Sequence, residues 1–160
     1  MTDFGEIPQR GLVLLGCGKM GSALLAGWLG QGLAPSAVHV IEPNPSEWLR
    51  GTGVGVNAAL PAAPAIVLIA VKPQMMGAAL PTIASMGGGG TLFVSIAAGT
   101  TIESFEAVFG DDSPIVRAMP NTPAAVGRGI SAIIGNREAT AAHLDLADTL
   151  LAAVGQVVRL

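Results

Sequence analysis

The run Leu12-Val13-Leu14-Leu15-Gly16-Cys17-Gly18-Lys19-Met20-Gly21 decides the fold. Its four consecutive apolar residues read as a strand buried on both faces of a parallel sheet. The next six residues spell Gly-x-Gly-x-x-Gly, and Leu24, Leu25, Trp28 and Leu29 then recur at helical spacing until Gly32 stops them. A second strand is predicted at residues 38–41. In this strand–turn–helix–strand setting the glycine pattern is a dinucleotide fingerprint. Gly16 permits the tight turn, Gly18 lets the backbone approach a pyrophosphate, and Gly21 lets helix and strand pack closely. The helix, predicted over residues 22–32, offers its unpaired N–H groups and positive dipole density to phosphates.

The rest of the chain continues the alternation. Pro43 and Pro45 break the chain after the second strand. Strands are predicted at residues 54–56, 66–71, 92–96, 115–118, 130–134 and 156–160. A helix opens at Pro73 and runs through Met75, Met76, Ala79 and Leu80 until Pro81 ends or kinks it. Residues 87–90 form a loop. A further helix covers residues 101–109, capped by Thr100 or Thr101 with Glu103 in its first turn, and a long amphipathic one covers residues 138–154. This order implies an α/β fold: a doubly wound, mostly parallel Rossmann-type sheet of about eight strands with helices on both faces. No linker interrupts the sequence, so residues 1–160 are read as one domain.

The bulk numbers exclude several classes. With 51% hydrophobic and only 12% charged residues, the 160-residue chain is not disordered. Part of its surface is expected to be covered by a partner chain or a second domain. A net charge of −3 with no cluster of Lys and Arg argues against nucleic acid. The start of the chain carries Asp3 and Glu6 and lacks the basic, then apolar, pattern of a signal peptide. The longest apolar stretch, residues 62–71, contains Pro64 and is too short to span a bilayer. The single cysteine, Cys17, suits a reducing compartment. A cytoplasmic protein away from membranes, with no metal site, is expected.

Candidate binding residues lie at the strand ends. The acid that grips an adenosine ribose usually stands about 20 residues beyond the fingerprint, and Glu42 is there. A carboxylate at that point favours NAD because it repels the 2′-phosphate of NADP; Asn44, Ser46 and Arg50 could instead serve that phosphate, and Glu42 could be a solvated loop acid. Within the glycine turn, Cys17 and Lys19 fill variable positions. Two further segments leave strands on the side where ligands bind in open α/β sheets: Ala70-Val71-Lys72-Pro73-Gln74 and Ser95-Ile96-Ala97-Ala98-Gly99. The small residues of the second let a flat ring approach the backbone. Lys72 is a candidate proton donor, or a residue of structural or backbone role only. A third segment, Arg117-Ala118-Met119-Pro120-Asn121-Thr122-Pro123-Ala124, holds Asn121 and Thr122 between two prolines in a rigid turn.

With the glycine turn, these three segments resemble the N-terminal domain of pyrroline-5-carboxylate reductases over about residues 10–160. Those enzymes reduce the cyclic imine of 1-pyrroline-5-carboxylate with NAD(P)H to give L-proline. The resemblance implies NADP or NAD as cofactor, with NADPH slightly favoured on family grounds. It implies that Leu15, Gly16, Cys17, Gly18, Lys19 and Met20 hold the pyrophosphate end, in the cofactor-binding turn that Gly21 completes. Asn44 would then lie by the adenosine ribose or its 2′-phosphate, next to the Glu42 read above from its spacing. Ala70, Val71, Lys72 and Pro73, with Ile96, Ala97 and Ala98, would line the nicotinamide half. Asn121 and Thr122 would sit beside the nicotinamide, and the catalytic groups are otherwise unassigned.

The sequence also departs from that pattern. Ala65 stands where most relatives put an Asp, and an adenine-contacting Asn has only Asn57 as a counterpart. The resemblance implies a helical domain beyond Leu160 that forms the homo-oligomer and grips the substrate carboxylate through a Ser-Gly-rich segment. His39, in or beside a strand, and His143, on the last helix, do not replace it. The residues thus predict a chain that binds dinucleotide but is inactive alone. Two other readings are an F420-dependent NADP oxidoreductase or β-hydroxyacid dehydrogenase, which the Met-Pro-Asn-Thr-Pro turn disfavours, and a non-catalytic nucleotide-binding module.

Overall fold

The structure is a computed structural model, and it describes residues 3–120 and 129–160. Its core is an eight-stranded sheet in the order β3-β2-β1-β4-β5-β6-β7-β8. The strands are β1 (Leu12–Leu15), β2 (Val38–Ile41), β3 (Gly55–Val56), β4 (Ile66–Ile69), β5 (Leu92–Ser95), β6 (Ile115–Pro120), β7 (Gly129–Gly135) and β8 (Gly155–Arg159). Among the described strands only the β6–β7 pairing is antiparallel. The order reverses between β1 and β4, which is the switch point at which open α/β sheets hold their ligands. The doubly wound fold read from the sequence is the fold observed.

Strand residues feed two cores in alternation. Leu12, Leu14, Val38, Val40, Ile66, Leu68, Leu92 and Val94 face one layer, and Val13, Leu15, Val67, Ile69, Phe93 and Ile115 face the other. This is why the sequence shows unbroken apolar runs rather than alternation. The first layer is closed by α1 (Ile7–Arg10), α2 (Lys19–Gly30), α3 (Glu47–Arg50) and α6 (Ala141–Leu151). The second is closed by α4 (Met76–Ala79) and α5 (Ile102–Phe109), where Phe93 stacks on Phe109 with ring centroids 3.9 Å apart. On this second side β7 and β8 carry the half-exposed Ile130, Ile134 and Val158.

Several boundaries differ from the sequence reading. The helix expected at residues 22–32 is Lys19–Gly30: it begins directly on Gly18 and ends in a reverse turn at Gly32. There φ is +99°, Gly32 N–H donates to Leu29 C=O (3.1 Å), and Leu33 N–H donates to Trp28 C=O (3.1 Å). The helix expected from Pro73 is broken into a 3-10 turn (Pro73–Met75), α4 and a second 3-10 turn (Leu80–Thr82). The strand expected over residues 66–71 stops at Ile69, leaving Ala70 and Val71 as loop at the sheet edge. The helix expected at residues 138–154 begins only at Ala141 and passes into a 3-10 turn at Ala152.

That late start has a cause. Thr140 caps α6, and the His143 side chain answers it: Thr140 N–H donates to His143 Nδ1 at 3.0 Å. The bond needs an unprotonated Nδ1. Burial holds the His143 imidazole below its usual range, and a bond to the Glu138 backbone opposes this only in part. The folded chain therefore binds this proton more weakly than the unfolded chain. The stability so gained is complete above about pH 6.5 and is lost as the pH falls through the lowered folded value. Urea titrations between pH 8 and 5 are expected to show that loss. His143→Glu, which keeps an acceptor at this position, removes it above the range where the new carboxylate itself titrates.

Candidate functional site

A cavity of about 500 Å³ opens at the switch point. Leu15 and Gly16 from the end of β1, Ile41 to Asn44 from the end of β2, and Ala70 to Lys72 from the end of β4 line it. Gln74, Met75, Ala78, Ala79 and Thr82 form its far wall. The sequence reading reached this wall only at Gln74, because the rest depends on how the broken helix after Pro73 folds back. Its only signal was the pair of small residues Ala78 and Ala79.

The glycine turn meets its three requirements separately. Gly16 has φ +89°, and its N–H donates to Ile41 C=O at 2.8 Å. A Cβ there would stand 2.8 Å from Val71 Cγ1 and 3.0 Å from the Ala70 carbonyl carbon. A Cβ on Gly21 would stand 2.7 Å from Gly16 O, so helix and turn are in contact there. A Cβ on Gly18 would meet nothing within 4 Å. Gly18 is exposed and heads α2, whose first turn no side chain caps. Its leading N–H groups thus have no side-chain cap, beside a Gly18 that borders the cavity and leaves open space, the cradle that a phosphate needs.

Glu42 lies on the lining and is tightly held. Its Oε1 accepts from Cys17 N–H at 2.8 Å, and its Oε2 accepts from Asn44 N–H at 3.0 Å. Cys17 itself is buried; burial raises its thiol above the usual range, Ser22 (Sγ–Oγ 3.5 Å) lowers it, and the Glu42 charge raises it further. A thiol held protonated in this way is a packing group.

Of the other candidates, Gly18, Asn44 and Lys72 stand on the cavity lining, with Lys72 exposed at its rim. Cys17, Lys19, Met20 and Gly21 lie in the turn and the first helical turn, behind or beside that lining. Pro73, Ile96, Ala97 and Ala98 are off it. The second strand-end segment instead continues the sheet edge: Ile96 N–H donates to Ile69 C=O (3.0 Å), and Ala97 N–H to the buried Ser95 Oγ (3.1 Å). Asn121 and Thr122 lie outside the described residues. Ser46 caps α3 by accepting from Leu49 N–H at 3.1 Å. Arg50 ends α3 and has no ion pair among the described residues. His39 pairs within the sheet between Val13 and Gly55, and His143 is the helix cap described above. Among the described residues no helix is long and apolar enough to cross a membrane.

Over residues 11–99 the chain matches the family described as NADP oxidoreductase, coenzyme F420-dependent. It is 35% identical over 150 residues to the pyrroline-5-carboxylate reductase of Pseudomonas aeruginosa, covering 90% of this chain and 55% of that protein. To the Escherichia coli enzyme of the same name it is 36% identical, covering 89% of this chain and 55% of that one. Among solved structures, a pyrroline-5-carboxylate reductase from Coxiella burnetii superposes with TM-score 0.87 at 26% identity, covering 94% of this chain and 58% of that one. The fold is shared also with Plasmodium falciparum pyrroline carboxylate reductase, whose structure holds NADP (TM-score 0.78, 24% identity, 96% of this chain and 58% of that one). The chain thus spans about half the length of the curated relatives it matches.

Proposed function

We propose, because the chain belongs to the family described as NADP oxidoreductase, coenzyme F420-dependent, that it is the dinucleotide-holding domain of an NAD(P)H-dependent reductase. The observation that carries this reading is the cavity at the β1/β4 switch point, bounded by a glycine turn whose Gly18 leaves open space in front of an uncapped helix. The substrate we propose is 1-pyrroline-5-carboxylate, after the activity for which the curated relatives are named. The family description names another coenzyme, F420; the relatives at 35% and 36% identity favour the imine.

A bound nicotinamide would supply the hydride that reduces the imine carbon, the nitrogen taking a proton. The chain's part is to bind and orient. The turn and the head of α2 would take the pyrophosphate, and Glu42 and Asn44 the adenosine ribose. The end of β4 from Ala70 to Pro73, with Ile96 to Ala98, would face the nicotinamide half. Lys72 is the described cation nearest in role to a proton donor, and Asn121 and Thr122 stay candidates on the resemblance alone. On this reading the substrate is gripped by a helical domain outside these residues, which also makes the homo-oligomer. The 160 residues alone are then expected to bind dinucleotide without normal turnover.

Calorimetric titration of the chain with NADH and NADPH tests this. At least one is expected to bind in a one-to-one ratio, and binding of neither would sink the reading. Gly18→Ala is the matched control. With open space around its Cβ, stability should stay within about 0.5 kcal/mol, while affinity falls tenfold or more because the methyl stands where the phosphate approaches. A parallel assay with pyrroline-5-carboxylate and with oxidised F420, run on the chain joined to the helical domain that this reading invokes, separates the two acceptors.

A further inference from the structure

We infer that Glu42, held in place by Asn57, makes this site select NADH against NADPH; the inference rests on the dinucleotide reading above. An adenosine ribose that ends in a free 2′-hydroxyl can donate to a carboxylate. One that carries a 2′-phosphate brings a second anion to the same place. Which is accepted depends on whether the carboxylate is fixed, whether a cation neutralises it, and whether backbone donors remain for the phosphate.

All three conditions can be read from the geometry. Each carboxylate oxygen of Glu42 accepts one backbone N–H, from Cys17 (2.8 Å) and from Asn44 (3.0 Å). About two of its four lone-pair positions are left to accept from a hydroxyl. No Lys or Arg forms an ion pair with Glu42 among the described residues, so none of them cancels its charge. Two backbone amides at this corner of the cavity, those of Cys17 in the glycine turn and Asn44 in the loop after β2, are already taken by an internal anion. A 2′-phosphate would have to displace that carboxylate or sit against it. Both are unfavourable, and a hydroxyl meets neither obstacle.

Asn57 fixes the carboxylate's starting point. It follows β3, and its N–H donates to Val40 C=O at 2.8 Å. Its side chain then reaches Glu42 twice: Oδ1 accepts from Glu42 N–H at 2.9 Å, and Nδ2 donates to Glu42 C=O at 2.8 Å. The carboxamide continues the β2–β3 pairing one residue past its last backbone partner, Val40 with Val56. Asn57 does this from φ +52°, the only described non-glycine residue in the left-handed region, which asparagine tolerates better than most. It is not on the cavity lining. Asn57 is therefore a positioning residue, and of the two it is Glu42 that would touch the ribose.

The test is the ratio of dissociation constants for NADH and NADPH, measured by titration on the whole chain, with AMP and 2′-AMP as fragment probes. The natural chain is expected to bind NADH at least tenfold more tightly than NADPH. Glu42→Ser removes the charge and frees both amides, and should bring the ratio to unity or below, chiefly by tightening NADPH and 2′-AMP. Asn57→Gly suits the left-handed backbone and removes only the carboxamide; it should lower the ratio at least threefold. A merely structural loss would weaken both nucleotides alike and leave the ratio where it was. NADPH bound as tightly as NADH by the natural chain overturns the inference and leaves the dinucleotide reading standing. An unchanged ratio in Asn57→Gly overturns the part assigned to Asn57. If neither dinucleotide binds, both readings fall together.

Discussion

Trp28→Ala is expected to lower the unfolding free energy by about 3–5 kcal/mol, the range for removing a buried tryptophan. Trp28 is fully buried on α2, and its indole Nε1–H donates to the Leu150 carbonyl at 2.9 Å, near the end of α6. The side chain fills the seam between the two longest described helices and joins them by a bond across 122 residues of sequence. On the same seam a Cβ added to Gly27 would stand 2.6 Å from Ala153 Cβ, so the backbones are close and cannot move further in to fill a void. A domain of this kind has about 5–15 kcal/mol in all, and the loss takes a large share of it. Trp28→Phe separates the two effects: it keeps most of the volume, drops the hydrogen bond and should lose about 1 kcal/mol from that bond. Urea unfolding followed by circular dichroism reads both, and a change below about 1 kcal/mol in Trp28→Ala would refute the argument.

Gly16→Ala carries the second large effect, and it combines stability with binding. At φ +89° an L-residue is strained by about 1–2 kcal/mol. The new methyl would also press on Val71 Cγ1 at 2.8 Å and on the backbone of Ala70 and Val71 at 3.0 Å. Crowding of this order costs about 1–3 kcal/mol. A total near 2–5 kcal/mol is expected, read as a drop in melting temperature. The turn can relieve the crowding only by moving away from β4. That opens the cavity and misdirects the head of α2, so dinucleotide affinity should fall with stability. Gly18→Ala, two residues on, should lose affinity alone. The two glycines thus separate the turn's two duties, and loss of stability in the Gly18 variant to match Gly16 would contradict the assignment.

What the sequence made legible follows from burial. The central strands at residues 12–15, 38–41, 66–69 and 92–95 are apolar at almost every position because both faces are covered. α1 and α3, at four residues each, are too short to display a period and were not foreseen. The segment after β4 misled for a different reason. Pro73 and Pro81 permit one turn at a time, and the resulting chain of short turns builds the far wall of the cavity. Within the site, the fingerprint and Glu42 could be read because each is local. The grip of Asn57 on Glu42 could not, since the two are 15 residues apart and meet only through the register of β2 and β3.

The sheet order also bears on synthesis. β1 is finished at Leu15, but its two neighbours come from β2, ending at Ile41, and β4, ending at Ile69. From residue 15 to residue 69 is 54 residues, about 3–11 s of translation at roughly 5–20 residues per second. For that interval the wholly apolar strand β1 has at most one partner and at least one open edge. The arrangement that places the glycine turn inside the finished sheet thus leaves its own leading strand open along one edge until β4 has been made.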